Sequence, residues 1–189
     1  MIAAVACDPA VAILLRAALA VLFATAAFHK LRDRGAFAAI VEAYRLVPSE
    51  AVGASVLAIA AGEIATATLL LLPSARTLGA AAAIGLLVLY SGAIAINLAR
   101  GRRTIDCGCG APGDEQPIDE SLLARNTVLV LTALATVPAP APRALVWVDA
   151  LTIAGGLAVL TGAWVAAHRL HAAARRLADA RLVAEGARP

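Results

Sequence analysis

Charged residues are scarce in this chain: they make up 15% of its 189 residues, whereas apolar residues make up 61%. Soluble domains contain roughly a quarter charged residues and about half apolar ones. A protein that faces lipid needs an apolar exterior as well as an apolar core. The composition therefore excludes an ordinary soluble domain and predicts an integral membrane protein, with the length of one domain.

Groups that hold metals or catalyse hydrolysis are also few. The chain has three cysteines and three histidines, and it shows no nucleotide-binding loop, haem motif or serine-type catalytic arrangement. The net charge of +3 does not indicate nucleic acid as a partner, because the basic residues stand at the ends of apolar runs, where they report membrane orientation. No cofactor motif is evident, and the sequence leaves open a quinone as an electron carrier. No cleaved signal peptide is predicted, since no positive charge precedes the first apolar run.

What the chain does have is long apolar runs. Five of them are close to the roughly 20 residues that cross roughly 30 Å of hydrocarbon, and they cover residues 10–28, 51–72, 77–98, 119–137 and 144–167. Asp119 is the predicted N-cap of the fourth run, and prolines after Val137 end it. Arg125 and Asn126 fall early in that run, so a re-entrant segment is the alternative there. We predict an all-α integral membrane protein with a bundle of about five transmembrane helices, or four if the fourth is re-entrant.

Two further segments are predicted to be helical. In residues 35–48, apolar side chains recur at i, i+3, i+4 and i+7, which indicates a short helix with one apolar face: Phe37, Ile40, Val41 and Tyr44. This helix lies either in the membrane surface or against the ends of the bundle. Residues 169–189 carry arginines among alanines and leucines, and form either a basic amphipathic helix or a solvated tail. The predicted organisation is a single transmembrane domain of residues 1–168 followed by this tail.

The distribution of basic residues predicts the orientation. All of the 16 lysines and arginines except Arg16, Arg76 and Arg143 fall on the side that also holds the C-terminus. Cytoplasmic loops carry such an excess, so the N-terminus is predicted outside and the C-terminus inside. The loop around Cys107 then lies on the cytoplasmic side, and Cys7 lies across the membrane from it. Cys7 is either a resolving thiol or an inert residue.

The polar loop after the third run contains the tripeptide Cys107-Gly108-Cys109. The Cα atoms of two residues so close in sequence are at most roughly 7 Å apart, and a disulfide usually needs about 4.4–6.8 Å. Gly108 gives the backbone the freedom to bend into that range. A ring this small is expected to be strained and easily reduced, as exchangeable disulfides are. Cys107 and Cys109 are therefore the candidate redox pair.

Charged neighbours are expected to tune the reactivity of this pair. Three arginines favour the thiolate, which is the reactive form, and three acids oppose it: Arg100, Arg102, Arg103, Asp106, Asp114 and Glu115. Two alternatives stay open beside the redox pair. One is half of a metal site that a partner protein completes, since zinc requires four ligands, and the other is an inert glycine-rich turn.

Two charged residues interrupt the first two apolar runs. Arg16 lies roughly 9 Å and Glu63 roughly 14 Å from the outer ends of their helices, at a rise of about 1.5 Å per residue. A charge inside the membrane is costly and is usually paired or functional, and an arginine side chain is long enough to cover the difference in depth. We predict an intramembrane ion pair between Arg16 and Glu63. The alternative to a functional role is a structural one, in which the pair only fixes how the two helices dock.

Several of these stretches resemble known membrane-protein families. The exit of the first run, Phe28-His29-Lys30-Leu31-Arg32-Asp33, and the tripeptide Gly62-Glu63-Ile64 are similar to DoxX-like proteins. The segment Tyr44-Arg45-Leu46-Val47-Pro48 and the Cys107 loop resemble the methylamine utilisation protein MauE family, although Gly110-Ala111 stand where that family's pattern has Phe-Gly. The resemblance implies a multi-pass protein of the cell inner membrane. It also implies a role in maturing the disulfide-rich small subunit of methylamine dehydrogenase, alongside a thioredoxin-like partner.

Two functions are consistent with the sequence. The first is a thiol–disulfide exchange protein or maturation factor, an enzyme at most in that sense, which acts on a disulfide-containing client through Cys107 and Cys109. The second is a non-catalytic scaffold or small-solute transporter of DoxX-like type, with Arg16 and Glu63 as its site. The first meets a conflict: disulfide formation belongs to the oxidising outer side, whereas the basic residues place Cys107 inside.

Overall fold

The computed structural model describes residues 8–108 and 116–186 of the chain. Across these two stretches, six α-helices follow one another: α1 (Pro9–Arg32), α2 (Arg34–Tyr44), α3 (Val52–Leu71), α4 (Arg76–Ala99), α5 (Glu120–Ala135) and α6 (Trp147–Gly186). Short 3-10 turns at Ser49–Ala51 and Pro73–Ala75 lead into α3 and α4. The β-structure in this part of the chain is one isolated residue pair in the loop between α4 and α5. The predicted all-α fold is confirmed.

Four segments of the described chain are long and apolar enough to cross a membrane: Pro9–Arg32, Ser49–Leu71, Pro73–Ala99 and Trp147–Ala167. Their most apolar windows have mean hydropathies between 1.8 and 2.3. The four segments coincide with four of the five predicted runs, so the prediction of a multi-pass membrane protein is confirmed.

The remaining predicted run corresponds to α5, which has 16 residues. At 1.5 Å per residue it is about 24 Å long, shorter than the roughly 30 Å of hydrocarbon. It is one uninterrupted helix antiparallel to α4, because Leu122 shares a buried cluster with Ile94 and Ala133 shares another with Ala83. Among the described residues, α5 is one continuous helix along α4, and it is not one of the four segments that are long and apolar enough to cross a membrane.

Side-chain caps fix where the helices begin. Asp8 accepts a hydrogen bond of 2.8 Å from the amide of Ala10 at the start of α1. The predicted cap Asp119 is confirmed, since it accepts one of 2.9 Å from the amide of Ser121. Each carboxylate satisfies an amide that the first turn of a helix leaves without an intrahelical partner.

The α4 helix ends in a Schellman motif, which turns the chain into the cysteine-containing loop. The amide of Gly101 donates to the carbonyl of Leu98 at 2.9 Å, and the amide of Arg102 donates to that of Asn97 at 3.0 Å. Gly101 has a φ of 73°, a left-handed conformation that glycine adopts without steric cost. The loop therefore leaves the helix axis at once and stays beside the bundle.

The helix in the amphipathic segment predicted at residues 35–48 is α2, which begins at Arg34, ends at Tyr44 and packs on α3. Phe37 and Tyr44 are buried, and Ile40 and Val41 are half-buried. The predicted apolar face is therefore confirmed, and it faces the bundle. Of the two placements that the sequence left open, the structure favours the one against the bundle ends.

The predicted boundary between residues 168 and 169 falls inside α6, which continues as one helix of 40 residues to Gly186. The fifth predicted run and the tail are thus parts of one element. This helix starts at Trp147, and it packs along α1.

Within residues 8–108 and 116–186, two buried apolar clusters hold the bundle together. The first includes Leu19, Phe23, Leu70, Leu87 and Ala133. The second lies where the cysteine-containing loop meets α2, α4 and α5, and consists of Tyr44, Ile94, Ile105, Ile118 and Leu122. Large apolar side chains such as Leu57, Val88 and Leu131 are exposed on the outer face of the bundle, as contact with lipid requires.

Candidate functional site

Cys107 lies in a short hydrogen-bonded stem. The amide of Cys107 donates to the carbonyl of Gln116 at 2.9 Å, and the amide of Ile118 donates to that of Ile105 at 2.9 Å. Ile105 and Ile118 are buried in the second apolar cluster. The two arms of the loop are thus anchored in the bundle, and Cys107 is half-buried beside them.

Asp106 organises the turn that follows Cys107. One of its carboxylate oxygens accepts from the amide of Gly108 at 2.7 Å, and the other accepts from the amide of Gln116 at 3.0 Å. The Cys107 thiol donates to the side-chain carbonyl of Gln116 at 3.6 Å. The carboxylate predicted to oppose the thiolate has a structural role as well, because it ties the two arms together across the loop.

Gly108 is held closely against α2. Its φ is 70°, and an added Cβ would lie 3.0 Å from Cε2 of Phe37 and 3.3 Å from Cγ2 of Ile40. Both the backbone conformation and the lack of space require glycine here. Cys109 and Cys7 lie outside the described residues, as do Asp114 and Glu115.

Two of the predicted thiolate-tuning arginines have structural partners. Arg102 donates to Oδ1 of Asn97 at 3.0 Å and to the carbonyl of Tyr44 at 3.4 Å, which joins the end of α4 to the end of α2. Arg103 forms a two-pronged ion pair with Glu120 at the exposed start of α5. That hydrogen bonding raises the pKa of Arg103. A tuning role for Arg100, Arg102 and Arg103 stays a prediction.

A cavity of about 320 Å³ lies between α2, α3, α4 and the Cys107 stem. We call it the Cys107 cavity. Its lining is mostly apolar, with a few polar groups that include Lys30, Tyr90 and Cys107. It brings together residues from five separate parts of the sequence and puts the candidate sulfur at the wall of a partly open apolar space.

A buried ion pair lies beside the Cys107 cavity. The ammonium of Lys30 is 2.7 Å from Oε1 of Glu63, and the Tyr90 hydroxyl donates to the same oxygen at 2.8 Å. Lys30 and Glu63 are 5% and 1% exposed. The ammonium also lies 5.1 Å from the centre of the Phe37 ring, a favourable cation–π distance.

The predicted Arg16–Glu63 ion pair is wrong. The guanidinium of Arg16 donates to the carbonyls of Leu70 and Leu72 at 2.8 and 2.9 Å, at the end of α3. Leu70 belongs to the last turn of α3, whose carbonyls lack intrahelical donors and carry partial negative charge, and Leu72 is the C-cap of this helix. Arg16 is therefore bound to the α3 terminus, and Lys30 supplies the cation for Glu63.

The hydropathy pattern does not point to Lys30, because the first apolar run ends at Phe28 and a basic cluster follows it. In the structure α1 continues to Arg32, and Lys30 belongs to its buried face together with Phe23 and Ala27. Spacings of four and three residues along a helix predict such a shared face. Helical side chains also lean toward the N-terminus of their own helix. In the antiparallel pair α1 and α3, Lys30 and Glu63 therefore lean toward each other.

A second charged cluster joins helix ends at the opposite side of the bundle. Arg143 donates to both carboxylate oxygens of Asp8 at 2.9 Å, and to both oxygens of Asp149 at 2.7 Å. Its guanidinium lowers the pKa of Asp8. The cluster fastens the start of α1 to the start of α6, and it stands apart from the Cys107 cavity.

Among the residues that the structure describes, no three His, Cys, Asp or Glu side chains lie close enough to hold a metal ion. The metal-site alternative for the cysteines would also involve Cys109, which falls in the undescribed stretch.

Comparisons with known proteins give one consistent result. The family model described as "Methylamine utilisation protein MauE" matches residues 8–139. Methylamine utilization protein MauE of Paracoccus denitrificans is 38% identical over 156 residues, which cover 81% of this chain and 84% of the relative. The protein of that name from Methylorubrum extorquens is 40% identical over 133 residues, covering 70% and 72%. No solved structure matches the chain.

Proposed function

The chain belongs to the methylamine utilisation protein MauE family, and on that footing we propose that it is an accessory membrane protein of methylamine utilisation that exchanges disulfides with a partner through Cys107 and Cys109. The partner is of the thioredoxin-like class, and the client of the pathway is a disulfide-containing protein such as the small subunit of methylamine dehydrogenase. The protein lies in the inner membrane with its N-terminus outside and its C-terminus inside.

One observation supports the exchange chemistry above the others. Cys107 is fixed by a hydrogen-bonded stem, and it lines an apolar cavity inside the bundle. The stem uses both carboxylate oxygens of Asp106 and a positive φ at Gly108. Such specific anchoring favours a functional loop over an inert turn. The rate of disulfide exchange depends on which sulfur is attacked and on the access to it, and the stem holds the Cys107 sulfur at the wall of this cavity.

The proposed exchange balances as follows. A thiolate of the partner attacks one sulfur of the Cys107–Cys109 disulfide, which forms a mixed disulfide and releases the other sulfur as a thiolate. The second partner thiolate attacks the mixed disulfide and frees the first sulfur. The partner loses two electrons and two protons and gains an S–S bond. Cys107 and Cys109 end as two thiols.

Replacement of each cysteine tests the proposal. In a strain that lacks the protein and cannot grow on methylamine, Cys107→Ser and Cys109→Ser are each expected to fail to restore growth while reaching wild-type levels in the membrane. Cys7→Ser is the matched control, because it removes the cysteine that lies outside the candidate pair, and it is expected to restore growth. If both Cys107→Ser and Cys109→Ser restore growth, the exchange function is wrong.

Sidedness is tested separately, because it decides which thiols the pair meets. A membrane-impermeant maleimide is applied to intact cells before and after reduction, and labelling of Cys107 and Cys109 is scored in a Cys7→Ser background. The predicted orientation requires protection in intact cells and labelling after the membrane is opened. Labelling in intact cells would reverse the orientation, and it would place the pair on the oxidising side.

A further inference from the structure

We propose that the Cys107 cavity binds the head group of a lipid-soluble quinone, and that this quinone takes electrons from the cysteine pair. The electron transfer rests on the proposed function, because it supplies the oxidant that restores the disulfide after each exchange. The binding of the head group rests on the cavity alone.

The cavity opens where lipid covers the protein. Leu46, Ala58 and Leu89 belong to its lining and are exposed on the outer face of the bundle. In a membrane these exposed apolar side chains contact acyl chains. A ligand dissolved in the bilayer can therefore enter from the side, without passing through water.

The size and lining of the cavity fit a flat ring. A volume of about 320 Å³ is near the lower end of small-molecule sites, which span roughly 300–1,000 Å³. Three aromatic side chains line it: Phe37, Tyr44 and Tyr90. Aromatic faces favour offset or edge-on packing against another planar ring, so the space suits a quinone head group, with its isoprenoid tail leaving toward lipid.

A buried cation supplies the polar contact that such a ring needs. The ammonium of Lys30 has three N–H donors, and within the described part of the chain Glu63 is the hydrogen-bond acceptor that it meets. Lys30 is 95% buried and lines the cavity. A buried donor without an acceptor is unfavourable, and a carbonyl oxygen at the cavity wall would accept from it.

Quinone chemistry matches both the ammonium and the neighbouring sulfur. A quinone carries two ring carbonyls, and negative charge develops on their oxygens as the ring is reduced. A preorganised cation stabilises that charge, and Cys107 lies in the wall of the same space. A fatty-acid carboxylate would also accept from Lys30, but it cannot oxidise a dithiol.

The redox step balances without any further reactant. The two thiols of Cys107 and Cys109 lose two electrons and two protons, and one S–S bond forms between them. The quinone ring takes up the two electrons, and its two oxygens take up the two protons. The products are one disulfide and one hydroquinone.

Binding is tested with the full chain in lipid nanodiscs and with decylubiquinone as the probe. The Cys107→Ser/Cys109→Ser variant is used, so that binding is measured without turnover. Ala58→Phe fills the cavity from its lipid-facing rim and is expected to weaken binding about tenfold or more. Ala65→Phe is the matched control, since Ala65 is exposed on the same helix but does not line the cavity. It is expected to bind as the parent does.

A second variant tests the cation. Lys30→Met alone would leave the Glu63 carboxylate buried without its partner, so the double variant Lys30→Met/Glu63→Gln is used to keep the bundle folded. It is expected to weaken binding about tenfold, since the carbonyl loses its charged donor. Equal binding by the parent, the Ala58→Phe variant and the double variant would mean simple partitioning into lipid, and would overturn the proposal.

Electron transfer is tested with the wild-type cysteines, reduced and kept free of oxygen. One hydroquinone is expected to form for each pair of thiols lost. Ala58→Phe is expected to slow this reaction, and Ala65→Phe is not.

The outcomes separate this inference from the proposed function. Binding of the quinone without formation of hydroquinone overturns the redox step. A pair that exchanges with a thioredoxin-like protein but never with the quinone overturns this inference and leaves the proposed function intact. If the quinone oxidises the pair but the oxidised pair exchanges with no partner dithiol, the proposed function is overturned and the quinone reaction stands.

Discussion

Lys30 and Glu63 are 33 residues apart in the chain, yet their charged groups are 2.7 Å apart in the interior of the bundle. Tyr90 adds a hydroxyl from α4 to the same carboxylate oxygen. Three helices therefore meet at a single carboxylate. A buried ion pair needs this kind of additional hydrogen bonding to offset the cost of removing both charges from water.

The first prediction concerns the two partners of this pair. Glu63→Gln leaves the Lys30 ammonium buried without a counter-ion, and breaking such a pair costs about 3–5 kcal/mol. Lys30→Met/Glu63→Gln removes both charges and is expected to recover a large part of that loss. Thermal unfolding in nanodiscs measures the order of stabilities: wild type, then the double variant, then Glu63→Gln. A double variant that is less stable than Glu63→Gln would contradict the pairing.

The second prediction separates Arg16 from Glu63. Arg16→Ala removes two charge-assisted hydrogen bonds to the end of α3 and is expected to lower the free energy of unfolding by about 2 kcal/mol. Because Arg16 and Glu63 have different partners, the effects of Arg16→Ala and Glu63→Gln should add within about 0.5 kcal/mol. A double-mutant cycle measures the coupling. A coupling energy of several kcal/mol would mean that Arg16 and Glu63 interact directly, and would contradict the separate partners that the structure gives them.

The third prediction uses two glycines with nearly the same backbone conformation. Gly101 and Gly108 have φ values of 73° and 70°, but an added Cβ meets open space at Gly101 and the Phe37 ring at Gly108. Each alanine substitution is expected to cost about 1–2 kcal/mol for the left-handed backbone. Gly108→Ala also displaces the stem. The rate at which Cys107 reacts with maleimide should change in Gly108→Ala and stay constant in Gly101→Ala; equal rates in both would refute the close packing of Gly108 on α2.

The fourth prediction is a dependence of stability on pH. Arg143 lowers the pKa of Asp8 below its ordinary 3.8, so the folded protein releases this proton more readily than the unfolded chain. The stabilisation is present above the unfolded pKa and is lost as the pH falls through the folded one. Asp8→Asn keeps a side chain that caps helices well but removes the charge. The free energy of unfolding is measured from neutral pH to about pH 3. It should fall with acid more steeply in the wild type than in this variant.

Much of the fold could be predicted, because lipid imposes strong requirements on a sequence. Apolar runs of sufficient length, interrupted by prolines or arginines, located four membrane-crossing segments correctly, and Asp119 marked the start of α5 through ordinary capping chemistry. The amphipathic spacing of residues 35–48 predicted α2 and its buried face. These features depend on residues that are neighbours along the chain.

The site was harder to predict, because its parts are brought together by the packing of distant helices. Cys107 was identified from its place in a polar loop, but the loop's attachment to the bundle depends on Ile105 and Ile118, whose burial no local pattern indicates. Glu63 was recognised as a buried charge, yet its cation was sought at the wrong end of α1. A hydropathy pattern ends a membrane segment at the first basic cluster, and it cannot show that Lys30 extends back into the bundle.

The length of α6 has a mechanical consequence. The helix continues 19 residues past Ala167, the last residue of its membrane-crossing segment, to Gly186. At 1.5 Å per residue this extension is about 28 Å long. The direction of this extension follows the tilt of the membrane-crossing part of α6. A small change in that tilt would therefore displace a protein that is fused or bound to the end of the helix by a larger distance.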